Sequence, residues 1–122
     1  MLSSRASLTF STLIFLVSAL VQAAQIHKPG EPGLTPPKVA SKVEPQYTKE
    51  ARQAKIQGAT ALTLVVNEKG RPESIRVKTS LDAGLDQKAI AAVKQWKFEP
   101  ARIKGKPVSI EANIQVNWRL LP

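Results

Sequence analysis

From Val108 to Leu120 the chain alternates apolar and polar residues without a break. Val108, Ile110, Ala112, Ile114, Val116, Trp118 and Leu120 take one parity, and Ser109, Glu111, Asn113, Gln115, Asn117 and Arg119 take the other. Side chains of a strand point alternately to opposite faces, so this period specifies one long strand with a buried face and a wet face. At about 3.4 Å per residue it is roughly 44 Å long, whereas strands of about five or six residues are usual. Shorter neighbours cannot cover both of its sides, so part of its edge is expected to stay open. Open strand edges recruit other strands.

The element before it is helical. Leu85, Ala89, Ala92, Val93 and Trp96 fall on one stripe of an α-helix. Upstream, Thr48 to Gln57 reads as a shorter helix, with Thr48 as N-cap and Glu50 in the first turn. Its buried side is expected to hold Tyr47, Ala51, Ala54 and Ile56, with Gly58 as the exit. Ala59 to Asn67 and Arg71 to Thr79 read as a hairpin around Asn67-Glu68-Lys69-Gly70, Gly70 taking the position with positive φ. Pro72 places the return strand on the outside of the sheet. Glu99 to Lys106 reads as a basic loop, with a turn at Gly105. The expected fold is α+β: two helices packed on one face of a three-stranded antiparallel sheet, with the hairpin's first strand central and the long C-terminal strand at an edge.

Residues 1–23 have the form of a secretory signal peptide: Arg5 is followed by an apolar run from Leu8 to Val21, and cleavage is expected after Ala23. The alternative is a retained membrane anchor, for which the run is short of the ~20 apolar residues a span requires. Residues 24–43 hold Pro29, Gly30, Pro32, Gly33, Pro36 and Pro37 and few large apolar groups, so they are expected to form an extended linker reaching about 60 Å. The folded domain is expected over 44–122. The chain has no cysteine, so export would bring no disulfides. Its formal net charge is +9, and an exported protein of that sign meets anionic polymers, lipid head groups or acidic protein surfaces.

Catalysis is not expected. The one histidine, His27, lies in the linker, and no cysteine nucleophile or Ser-His-Asp set is available. Asp82 and Asp86 lie four apart, but two carboxylates make a poor metal site and a good helix start. No metal and no cofactor are expected. Lys97, Arg102, Lys104 and Lys106 are the anion-binding candidates. Nucleic acid is not expected as the partner, because only Phe98 is interleaved with those charges. Trp96 and Trp118 sit on apolar stripes and read as core.

In order and spacing, Tyr47, Ala51, Gly58, Gly70, Leu85, Asp86, Ala89 and the run Trp96-Lys97-Phe98-Glu99-Pro100-Ala101 resemble the C-terminal domain of TonB, over about Pro45 to Leu120. Thr48 stands where that family usually has proline, and Thr79-Ser80-Leu81 where it often has Ser-Ser-Gly. Proteins with this domain couple inner-membrane energy to outer-membrane transporters of Gram-negative bacteria. The resemblance implies a non-catalytic periplasmic protein whose last strand pairs with an extended peptide of such a transporter, or of another periplasmic protein, by β-augmentation. The partner-binding residues it implies are Ser109, Glu111, Asn113, Gln115 and Asn117 along the edge, with Glu44, Pro45, Gln46 and Tyr47 beside it. A role in energy transduction depends on whether the leader is kept as an inner-membrane anchor. Two other readings are a structural module holding anionic cell-wall polymer on its basic face, and a homodimer through the long edge.

Overall fold

The computed structural model describes residues 25–121; the signal-peptide expectation lies outside them. Ten elements follow in order: β1 (Ile26–His27), β2 (Leu34–Thr35), β3 (Lys38–Ser41), α1 (Lys49–Gln53), β4 (Gly58–Val66), β5 (Pro72–Thr79), α2 (Ala83–Val93), β6 (Lys97–Glu99), β7 (Ala101–Ile103) and β8 (Lys106–Trp118). The fold is α+β, but the sheet is not three-stranded. It has six strands in the order β2-β7-β8-β4-β5, with β1 also on β8, and β3 pairs separately with β6.

Three of the corrections share one cause. The basic segment after Glu99 is not a loop. Ala101–Ile103 folds back on Lys106–Val108, turning through Lys104 (φ 51°) and Gly105 (φ 79°). Positive φ at both central residues is the geometry that matches the twist of a two-residue hairpin. Residues 25–43 alternate short extended pieces with turns, and the extended pieces are laid on the domain as β1, β2 and β3. The long strand is therefore not an edge throughout. Strands of two to four residues carry no readable periodicity, and their pairing comes from neighbours distant in sequence.

The buried face matches the pattern. Thr60, Leu62, Leu64 and Val66 of β4, with Ile110, Val116 and Trp118 of β8, face Ala51 of α1 and Leu85, Ala89, Ala92 and Val93 of α2. Ala54 is exposed, because α1 ends at Gln53 and the chain leaves through Lys55 at φ 54° rather than at Gly58. Thr48 caps α1, its Oγ1 accepting from the Ala51 amide at 3.1 Å. Both tryptophans belong to the core, and each indole N–H has a partner: Trp96 donates to the Val43 carbonyl (2.9 Å) and Trp118 to Thr60 Oγ1 (3.2 Å). Tyr47 meets the Trp118 ring edge-on at 5.1 Å and donates its hydroxyl to the Ile56 carbonyl.

Asp82 and Asp86 divide the labour at the start of α2. Asp82 is the cap, accepting from the Leu85 amide at 3.0 Å. Asp86 is 5% exposed, and its carboxylate accepts from Thr60 Oγ1 (3.0 Å), the Leu81 amide (3.2 Å) and the Ser80 hydroxyl. Burial alone would raise its pKa. The donated hydrogen bonds outweigh it and hold the carboxyl below its ordinary value. The stabilisation is therefore complete above the unfolded carboxylate pKa, about 3.9, and is lost as pH falls through the lower native value. Asp86→Asn should cost about 2 kcal/mol or more at neutral pH. Thermal melts of both proteins should show the difference shrinking below about pH 4.

The β4–β5 turn is docked rather than free. Asn67 Oδ1 accepts from the amides of Lys69 and Arg71, and the Gly70 carbonyl accepts from the Phe98 amide at 2.9 Å. Gly70 has φ 78°, and a Cβ there would fall on the Phe98 carbonyl oxygen. Gly70→Ala should lower stability by at least about 2 kcal/mol through the left-handed backbone and that clash. In a domain of this size, melting should drop by at least about 8 °C.

Candidate functional site

The sheet has two long strands with open sides, and they differ in kind. β5 is outermost beside β4. Its register shifts between the Thr63–Arg76 and Val65–Glu73 pairs, Ser74 has φ 51°, Pro72 has no N–H, and Arg76 and Lys78 are exposed. A bulge, a proline and charges are the usual means of blunting an edge. β8 has no bulge and no proline along its open part, and Glu111 is its one charged residue there. Its register against β4 runs without a shift from Ile110–Val66 to Trp118–Gly58.

Among the described residues, the outer side of β8 is paired only at its head. Lys106, Pro107 and Val108 pair with β7, and Ser109 and Ile110 pair in parallel with Ile26 and His27 of β1. Among the described residues no strand pairs on that side from Glu111 to Trp118. Of the residues expected at the edge, Ser109 therefore lies under β1. Glu111 is half-buried, and Asn113, Gln115 and Asn117 are exposed. Asn113 Oδ1 accepts from Thr63 Oγ1 (3.1 Å), and Asn117 Oδ1 accepts from Gln115 Nε2 (3.1 Å), so these side chains are held on the wet face.

Glu44 and Gln46 stand elsewhere. With Val43 and Pro45 they face Lys88, Ala91, Ala92 and Gln95 of α2 across a cleft of about 250 Å³ to which β8 contributes no residue. Tyr47 of that segment reaches β8, through Trp118.

The four anion-binding candidates do not form one site. Arg102 donates to the Gly105 carbonyl at 3.2 Å within its own hairpin, and Lys104 and Lys106 are exposed beside it. Lys97 instead lines a cleft of about 710 Å³ with Lys69, Arg71 and Lys94. Those three come from the β4–β5 turn and the end of α2, too far apart in sequence to register as a cluster. The one contact of a basic with an acidic side chain within 4 Å among the described residues is His27 Nδ1 with Glu31 Oε2 at 2.8 Å, so these cations have no carboxylate partner. No group of three or more His, Cys, Asp or Glu side chains placed to hold a metal occurs among the described residues. No helix among them is long and apolar enough to cross a membrane.

A two-helix α+β domain with one blunted and one open sheet edge is the class this geometry defines. Residues 43–120 match the family model described as Gram-negative bacterial TonB protein C-terminal. The chain is 31% identical over 86 residues to protein TonB of Vibrio cholerae serotype O1, covering 70% of this chain and 35% of that protein. It is 30% identical over 77 residues to protein TonB of Xanthomonas campestris pathovar campestris, covering 62% and 34%. Among solved structures, the solution structure of the Pseudomonas aeruginosa TonB C-terminal domain superposes with a TM-score of 0.57 at 20% identity, covering 80% of this chain and 96% of that one. The chain belongs to the TonB C-terminal domain family. It spans about a third of the length of the curated relatives it matches.

Proposed function

We propose that this protein serves transport across the Gram-negative outer membrane by pairing the open edge of β8, from Glu111 to Asn117, with an extended peptide of an outer-membrane transporter or another periplasmic partner. The observation that carries the reading is the contrast of edges: β5 is bulged and charged, while β8 keeps an unbroken register. Backbone groups of the added strand supply affinity in this mode, and side chains tune it. Family membership supports the transport context. The protein acts in the periplasm, either free after loss of its leader or anchored to the inner membrane by it, and it works without catalysis. The contribution of Glu44 and Gln46 is to a neighbouring contact along α2.

The test uses proline. Both backbone groups of a strand residue point to the same side, and alternate residues serve the two neighbours. Of Asn113→Pro and Ile114→Pro, one therefore breaks the ladder to β4 and melts early, and the other removes an outward donor and stays folded. Titration with a synthetic peptide carrying a transporter's extended docking segment should show binding to the wild type and at least a ten-fold loss in the folded proline variant. Equal binding by that variant would sink the reading.

The cleft of Lys69, Arg71, Lys94 and Lys97 favours a second reading, retention of anionic cell-wall polymer. Its electrostatics are screened by salt. Sedimentation with purified cell-wall sacculi should fall between low and physiological ionic strength and disappear with Lys94→Glu plus Lys97→Glu. Salt-insensitive binding would overturn it.

A further inference from the structure

The segment from Ile26 to Pro37 does more than tether. It pairs with β8 at Ser109 and Ile110 and then turns off the edge. The turn is fastened by Glu31, which accepts from the Lys28 amide (3.0 Å) and pairs with His27, while the Glu31 carbonyl accepts from the Leu34 amide. Leu34 packs onto the core, and β2 pairs with β7. The strap thus leaves β8 at the residue where the open edge begins. Between strap and strand lies a groove of about 460 Å³ lined by Pro29, Leu34, Pro36, Pro37, Ile110 and Ala112, among others.

Four considerations bear on what that groove accepts. Its strap wall is mostly proline and leucine, and proline has no backbone donor, so the wall suits an apolar group. Ala112 is the smallest residue of the buried parity of β8, and it leaves room where its neighbours Ile110 and Ile114 would fill it. A strand added beside β8 directs the side chain opposite Ala112 to the same face as Ala112, which is the side Leu34 occupies against the core. The same edge already holds one added strand, β1, immediately upstream.

We propose that the strap is a specificity-determining part of the edge: with Ile110 and Ala112 it forms an apolar subsite that takes a bulky aliphatic or aromatic side chain of an extended peptide paired to Glu111–Asn117. This rests on the peptide-pairing reading above. The occupant is a foreign peptide, because the chain's own β1 is spent on Ser109 and Ile110.

Peptides selected from a phage-displayed random library against the full chain test it. Selected sequences should share one bulky apolar position. Replacing that residue by alanine should weaken binding about ten-fold or more to the wild type, and less than about two-fold to Ala112→Leu, whose side chain fills the subsite. Leu34→Ala, which opens the wall without filling it, should also reduce the preference; melting curves verify that each variant is folded. Binding that is lost in the folded proline variant yet shows no apolar preference, or a preference unchanged by Ala112→Leu and Leu34→Ala, overturns this proposal and leaves edge pairing standing. Failure to select any edge-dependent peptide overturns both. A concentration-dependent dimer abolished by Ala112→Leu would overturn it by making a second copy the occupant.

Discussion

One relay of buried polar groups holds the layers together. Trp118 donates to Thr60, Thr60 donates to Asp86, and Asp86 also receives Ser80 and Leu81. It links the end of β8 to the start of β4 and both to the first turn of α2. Each group is satisfied; no buried side-chain nitrogen or oxygen among the described residues lacks a partner. A buried carboxylate left short of donors would cost several kcal/mol. Satisfied, it fixes which residue of the helix sits over which residue of the sheet, something apolar packing alone specifies weakly. The register of β8 on β4 follows from that pin at one end, and the position of the open edge follows from the register.

How much of this was legible depended on the range of the cause. The stripe from Leu85 to Trp96 and the alternation from Val108 to Trp118 are local patterns, and the core they describe is the observed one. Thr48, Gly70 and Pro72 carry local conformational rules, and each does what its chemistry demands. The misses are mostly long-range, the exit of α1 through Lys55 rather than Gly58 being the local one. Nothing in Ile26–His27 announces parallel pairing with Ser109–Ile110. Lys69, Arg71 and Lys94 join Lys97 only through the fold. Within the candidate site, Asn113, Gln115 and Asn117 could be read from parity, and the shielding of Ser109 could not. Gly105 was visible as a turn, but its pairing consequence required Lys104 to adopt positive φ as well. From sequence Asp86 is only a second helix-start carboxylate, because its donors Thr60 and Ser80 lie outside the helix.

The two edges of the sheet show how a chain protects one side while leaving the other available. β5 pays in regularity: its bulge at Ser74 twists it away from further pairing. β8 gains protection only where β7 and β1 cover it, and beyond Ile110 its exposed parity is amide-rich rather than charged, Glu111 excepted. Asparagine and glutamine keep the face soluble without the repulsion that rows of lysine would give an approaching strand. Positive charge lies off this stretch, on β5, the hairpin turns and the end of α2 among other places.

That distribution bears on how tightly such an edge can hold a peptide. Outward backbone groups occur at every second residue, so the stretch from Glu111 to Trp118 presents four residues with a donor and an acceptor each. Net hydrogen bonds contribute about 0.5–1.5 kcal/mol apiece, and association itself costs at least about 4 kcal/mol and often much more. Backbone pairing alone therefore leaves a weak complex, and one that is blind to sequence. Selectivity and useful affinity must come from side chains, and an apolar concavity on this edge is completed by Pro29, Leu34, Pro36 and Pro37. A segment whose composition reads as a bare tether is then the element that would tell one extended peptide from another.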